Sequence, residues 1–376
     1  MQATSQYRSL FPTTGRGDVQ ADSDVDWDIP NEGLDIENGS LYITGKLKVN
    51  QAGVNVSVND SDIQYNRHCG IHGFFRQFTS EIGVGNVENL NNYGHLVTML
   101  SQNSSFYQEL FSETDKNMEL RVGEPGYTTN ILKGNSEADY DVPFAFKPIV
   151  AFNFSMNQQM QKTNLSFSAL GKMRLRARLA SVRQALFGAD CSALLTTFSM
   201  SNLQLHYKVV PPNPKPGQTM FLIFNDTVRP VNSNNVNLNA QMPGLTSSFS
   251  SHYVPASDEI DFTKDGYRTA VLPNVQRVQF AYSGNDNLKI AFPLETREEI
   301  QMNYQLSLGN PNAGLNSLLL SARQLANGQN FGFGIGLNFG QLQSLVKTLF
   351  SLNIISDVSN VAPFTAYLFF RSTVSV

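Results

Sequence analysis

Charge is scarce in this chain. Of its 376 residues only 15% are Asp, Glu, Lys or Arg, against 41% hydrophobic, with 26 Phe and 13 Tyr. That balance excludes a disordered chain and argues for a β-rich globular one over a helical one. Cysteine is nearly missing: Cys69 and Cys191 stand far apart, so no disulfide framework is expected and a reducing compartment of synthesis is. No apolar run approaches the ~18 residues that cross a bilayer, FLIF at 221–224 and YLFF at 367–370 being among the longest. The opening MQATSQYRSLFPTTGRG has no apolar h-region, so no secretory signal is expected. Lys and Arg are absent between Asp18 and Lys46, where eight acids fall from Asp18 to Glu37. A chain that packages nucleic acid by itself often carries a basic arm, and this stretch is the reverse. Catalytic signatures are missing too: there is no Gly-x-Ser-x-Gly elbow, no Gly-Lys-Ser or Gly-Lys-Thr, and no aligned pair of carboxylates. No enzyme activity, cofactor or small-molecule substrate is expected.

What is present is alternation. Residues 1–34 hold Pro12, Gly15, Gly17 and Pro30 with little apolar periodicity and read as an extended N-terminal arm. Strand patterns follow at LYITGKLKV (41–49), VNVSV (54–58), IHGFFRQF (71–78), PFAFKPIVAFNF (143–154), LSFSALGKMRLRARL (165–179) and ALLTTFSMSNLQLHYKVV (193–210). A helical pattern over 87–111, with Leu90, Tyr93, Leu96, Val97 and Leu100 at three-to-four spacing, interrupts them. PPNPKPGQ (211–218) cannot continue a central strand and marks a linker. Beyond it strands return at TMFLIFNDTVRPV, TAVLPNVQRVQFAY and IQMNYQLSLG. A helix is expected at NAGLNSLLLSARQLAN (312–327), another at QLQSLVKTLF (341–350), and the last strands around LNIIS and TAYLFFRSTVSV. The expected fold is all-β with minor helical insertions: a jelly roll over 35–210, the linker, and a second jelly roll over 219–376.

The glycines of NGQNFGFGIGLNFGQ invite a nucleotide loop, but no frame from Gly332 or Gly334 completes Gly-x-Gly-x-x-Gly. Phe331, Phe333, Ile335, Leu337 and Phe339 share one parity, and Gly332, Gly334 and Gly336 the other. Period two means a strand whose apolar face fills the second core. Its glycine face must then lie close to another backbone, a helix such as 312–327, the neighbouring roll or an adjacent subunit.

The chain resembles the double jelly-roll major capsid proteins of tailless DNA viruses and polinton-like elements. The likeness rests on size, LYITGKLKV after an arm, SMSNLQLHYKVVPPN closing the first half, and FGFGIGLNFGQ with TAYLFFRSTVSV near the C-terminus. It implies a homotrimer with a pseudo-hexagonal outline, lateral contacts in an icosahedral shell, and penton or minor capsid proteins as neighbours. It also implies an internal membrane or a genome beneath, a place in the virion, and synthesis in the host cytoplasm or nucleus. Short connecting loops leave a penton or minor capsid role open. A receptor- or carbohydrate-binding β-sandwich of fibre or lectin type is the competing class.

Four motifs invite chemistry. RHCGIH brings His68, Cys69 and His72 together, with His95 beyond, but in a strand Cys69 points away from the histidines and no second ligand pair exists, so no metal is expected. DSDVDWD mimics the start of a calcium loop with Asp22, Asp24 and Asp26, yet Trp27 and Gly33 occupy the positions that need Gly and Glu. Lys172, Arg174, Arg176 and Arg178 alternate with Met173, Leu175, Ala177 and Leu179, presenting four cations on one strand face. They would meet interior nucleic acid, a membrane or an acidic neighbour, or else sit among local carboxylates. Arg16, Gly17 and Asp18 form an attachment tripeptide of integrin type.

Overall fold

The computed structural model describes residues 6–56, 61–66, 69–103, 142–214, 217–241, 245–268, 272, 275–284, 287–289, 293–308, 333–344, 349–356 and 363–376. The first half contributes eight principal strands: β1 (Gln6–Leu10), β2 (Asp24–Ile29), β3 (Tyr42–Gln51), β4 (Phe75–Ile82), β5 (Gly85–Leu90), β6 (Val142–Phe146), β7 (Met173–Leu179) and β8 (Thr196–Val210). Another eight follow: β9 (Met220–Val231), β10 (Asn235–Gln241), β11 (Leu245–Pro255), β12 (Val275–Gly284), β13 (Asn287–Lys289), β14 (Ile335–Ser344), β15 (Leu349–Ser356) and β16 (Phe364–Ser375). Two-residue pieces such as Val19–Gln20 and Ser155–Met156 pair at sheet margins. Two longer helices, α1 (Tyr93–Asn103) and α2 (Arg297–Ser307), each come shortly after a last short strand, β5 in one half and the Pro293–Leu294 piece in the other.

Pairing is antiparallel throughout, and the strand orders repeat. Sheet 1 runs β1-β8-β3-β6 and sheet 2 runs β2-β7-β4-β5; sheet 3 runs β9-β16-β11-β14 and sheet 4 runs β10-β15-β12-β13. Adding eight to each label of the first pair of sheets gives the second. Eight antiparallel strands wound into two facing four-stranded sheets make a jelly roll, so the chain is a double jelly roll.

Alternation builds each core. In β2 Val25, Trp27 and Ile29 point inward between Asp24, Asp26 and Asp28, and in β10 Val236, Leu238 and Ala240 point inward between asparagines. The first roll buries Trp27, Phe75, Phe78, Leu175, Phe198 and Leu205 between sheets 1 and 2. The second buries Phe249, Phe280, Phe350, Leu352, Leu368 and Phe370 between sheets 3 and 4. Each such side chain contributes about 1.5–3 kcal/mol on full burial. Sheet 3 is covered on both faces. Leu368 and Phe370 of β16 belong to the second core, whereas Tyr367 and Phe369 join Phe221 and Ile223 of β9 in the first.

Several expectations change. The residues read as an extended arm over 1–34 supply β1 and β2, one strand to each sheet of the first roll. Its acids hid the period-two pattern of Val25, Trp27 and Ile29. IQMNYQLSLG, read as a strand, lies mostly in α2, whose N-terminus is set by a capping box: Thr296 Oγ1 accepts from the Glu299 N–H at 3.2 Å and the Glu299 carboxylate accepts from the Thr296 N–H. Gln341–Ser344, read as the start of a helix, continues β14. The helical pattern of 87–111 splits, with Leu90 ending β5 and helix beginning at Tyr93, and the expected helix at 312–327 lies outside the described residues.

Candidate functional site

The basic strand and the acidic stretch meet. Met173, Leu175, Ala177 and Leu179 of β7 face the core, so Arg174, Arg176 and Arg178 face out, and pairing with β2 sets them opposite Asp28, Asp26 and Asp24. Arg174 engages Asp28 through both ends of its fork, Nε at 2.5 Å and Nη2 at 3.2 Å, and Lys172 approaches the same carboxylate at 3.6 Å. Arg176 contacts Glu81 of β4 at 3.1 Å and Asp26 at 3.5 Å, while Arg178 reaches Asp24 at 3.9 Å. The hydrogen bond from Arg174 lowers the Asp28 pKa, and the same bond raises that of Arg174. Four cations thus face four carboxylates in a ladder across three strands. The face is zwitterionic, not a phosphate-binding stripe, and the geometry is that of local carboxylate partners.

Gly334 and Gly336 lie under α2. A Cβ at Gly334 would overlap the Tyr304 ring and stand 2.6 Å from the Ser251 carbonyl oxygen; at Gly336 it would overlap Ser307 and stand 3.0 Å from the Phe249 carbonyl oxygen. Phe333, Ile335 and Leu337 are buried in the second core and Phe339 packs at its margin. The close neighbour is therefore a helix of the same roll, at 297–307; Gly332 and Phe331 lie outside the described residues.

The seam between rolls is closed by exchanged carboxylates, a feature with no local sequence signal. Glu88 of β5 accepts from the backbone N–H of Phe224 in β9 at 3.2 Å and of Ala151 at 2.8 Å. In return Asp226 of β9 accepts from the Asn91 N–H at 2.9 Å and from the Asn92 amide. Burial pushes Glu88 up to about 7 and also raises Asp226. Beside them His95 of α1 lies 3.3 Å from His252 of β11 and stacks on Tyr367. Burial holds both imidazoles below their usual range, His252 at about 3. A strap from the second roll, residues 256–268, crosses onto the first. The Gly188 N–H donates to Phe262 O at 3.0 Å, the Asn66 amide to Asp265 at 2.6 Å, and the Tyr267 hydroxyl to Gly73 O at 2.8 Å.

The remaining motifs resolve simply. Cys69 is buried and its thiol pushed up by burial; His72 is buried, shares a 2.7 Å hydrogen bond with the Tyr93 hydroxyl and is pushed down to about 3, and His68 lies outside the described residues. Among the described residues no group of three metal-binding side chains converges. Arg16, Gly17 and Asp18 are exposed on the loop between β1 and β2, where Arg16 Nε donates to Pro12 O at 3.0 Å.

No protein-family model and no curated protein sequence matches the chain. Solved structures do. PBCV-1 VP54, fitted into a cryo-EM reconstruction of the virophage Sputnik, superposes with a TM-score of 0.61 at 10% identity over 99% of this chain and 95% of that one. The Faustovirus major capsid protein gives 0.57 at 11% identity over 100% and 91%, and the mavirus major capsid protein 0.52 at 9% over 98% and 90%. The chain thus has the double jelly-roll fold of major capsid proteins across its whole length.

Proposed function

We propose that this chain is a major capsid subunit, assembling as a trimer whose six rolls give a pseudo-hexagonal tile in an icosahedral shell. The observation that carries this is the repeated eight-strand winding, matched end to end in structures of capsid proteins. The unit divides at 211–218, with residues 6–210 in one roll and 219–376 in the other. Its function is mechanical: many modest lateral contacts between copies add into a closed shell, with pentons or minor proteins filling special positions. The ladder on sheet 2 leaves no excess positive charge there, so contact with a genome or an internal membrane falls to other surfaces. The Arg16-Gly17-Asp18 loop is open enough to serve attachment. The test is size-exclusion chromatography with light scattering, followed by electron microscopy. The expected species has three times the chain mass and forms larger closed or sheet-like assemblies; a stable monomer at every concentration refutes the capsid role.

A further inference from the structure

The two rolls treat one equivalent edge differently. β2 and β10 hold the same place in sheets 2 and 4, each an outer strand beside β7 or β15. The outer edge of β2 is occupied by the chain itself. The Thr13 N–H donates to Asp26 O at 2.7 Å, Thr14 Oγ1 accepts from the Asp26 N–H at 3.2 Å, and Thr14 forms an antiparallel bridge with Asp26.

On β10 the Ser356 N–H donates to Asn234 O at 2.8 Å, which fixes the alternation of the ladder. The backbone groups of Val236, Leu238 and Ala240 face β15, and those of Asn235, Asn237, Asn239 and Gln241 face away. Among the described residues two side chains reach this outer edge: the Ser233 hydroxyl donates to Asn235 O at 3.0 Å, and Arg229 Nε to Asn239 O at 3.2 Å. Both backbone groups of Asn237 between them are left without a partner among the described residues. Sheet edges are normally protected by a charge, a proline or a bulge. Asn-Val-Asn-Leu-Asn-Ala-Gln contains none, and its pairing with β15 is unbroken. The buried Val236, Leu238 and Ala240 lock its register, so the edge is presented rigidly.

We propose that the outer edge of β10 is a docking site for an extended, uncharged strand of a second copy of this chain, added antiparallel to sheet 4 as residues 13–14 are added to sheet 2. The inference rests on the capsid reading for its partner. The first roll shows that a segment of this chain fits the equivalent edge, and β10 itself, which carries no charged residue, suits a chain in which charge is sparse. Main-chain hydrogen bonds centred on Asn237 supply the contact, as in other strand additions.

Hydrogen–deuterium exchange resolved over 235–241 tests it, comparing dilute protein with protein concentrated enough to assemble. The Asn237 amide should exchange about tenfold or more slowly in the assembly. Asn237→Pro removes the outward N–H without touching the bonds to β15, a substitution edge strands tolerate. It should raise the concentration needed for assembly roughly fivefold, the loss of about one hydrogen bond, while Asn237→Ala leaves it unchanged. If the proline variant melts lower than the parent, Asn237→Lys, which keeps the backbone and adds an edge charge, replaces it with the same expectation. An assembly whose 235–241 amides exchange as in dilute protein overturns the edge site and leaves the capsid role standing. Protection already present in the monomer also overturns it. A chain monomeric at all concentrations removes both.

Discussion

A single methyl group at residue 334 distinguishes a covered glycine face from an open one by sign. The Gly334 backbone does not have the positive φ that excludes other residues, so at an open strand position Ala would stabilise the fold by about 0.4–1 kcal/mol through the unfolded chain. Under α2 the same methyl meets the Tyr304 ring and the Ser251 carbonyl. Tyr304 is fully buried and cannot swing out to solvent, and the Ser251 carbonyl belongs to β11, held on both sides by β14 and β16. Overpacking in such a site costs about 1–3 kcal/mol, and two rigid obstacles place Gly334→Ala toward the upper end. In a protein of this size that lowers Tm by roughly 2–4 °C. Differential scanning calorimetry at fixed concentration reads it. Gly334→Ala combined with Tyr304→Ala should fall short of the summed losses by about 1 kcal/mol or more, because the smaller residue vacates the space. A Gly334→Ala protein as stable as the parent, or more so, would falsify the covered-face argument.

Other perturbations follow from the same contacts. Because burial raises Glu88 above the ordinary carboxylate value of 4.5, its contribution is complete below about 4.5 and declines as pH rises through about 7. Tm should therefore fall between about pH 5 and 7, and Glu88→Gln should flatten that slope while lowering Tm overall, since one of two N–H groups then faces an amide donor. A steeper slope in the variant contradicts the assignment. Buried neutral His72, His95 and His252 act oppositely: their lowered values give stability that is present above 6.5 and drains as pH falls toward 3, visible as acid unfolding by circular dichroism. Arg174→Ala should cost about 1 kcal/mol at most at low salt and less at high salt, because the pair is partly exposed. An effect independent of salt argues for packing instead. Thr296→Ala should cost about 0.5–2 kcal/mol and loosen α2, read as faster exchange of the Ile300 and Tyr304 amides.

Strands with one buried face could be read from the sequence, and the glycine strand could be read together with its need for a close neighbour. The neighbour is a helix, one of the expected kinds, but it is α2 at 297–307, while 312–327 lies outside the described residues. TREEIQMNYQ contains a capping box and buries Ile300 and Tyr304 at helical spacing, yet its β-favouring residues also satisfy a strand pattern, and a short window does not separate the two. Asp24, Asp26 and Asp28 looked like repulsion because their partners lie about 150 residues downstream, across a sheet that local spacing does not describe. Glu88 and Asp226 are likewise isolated acids in the sequence, and only the docking of two rolls gives them a shared role.

The winding also sets an order in time. β1 is among the first strands to be synthesised, yet its pairing partner β8 begins roughly 190 residues later, and β9 waits about 130 residues for β16. At 5–20 residues per second β1 leaves the ribosome about 10–40 s before it can be paired. Through that interval Leu10 lacks the strand it packs with, and for most of it Val25, Trp27 and Ile29 of β2 wait for β7. A growing chain of this kind depends on being kept apart from its many identical siblings until the strand that closes each roll has been made.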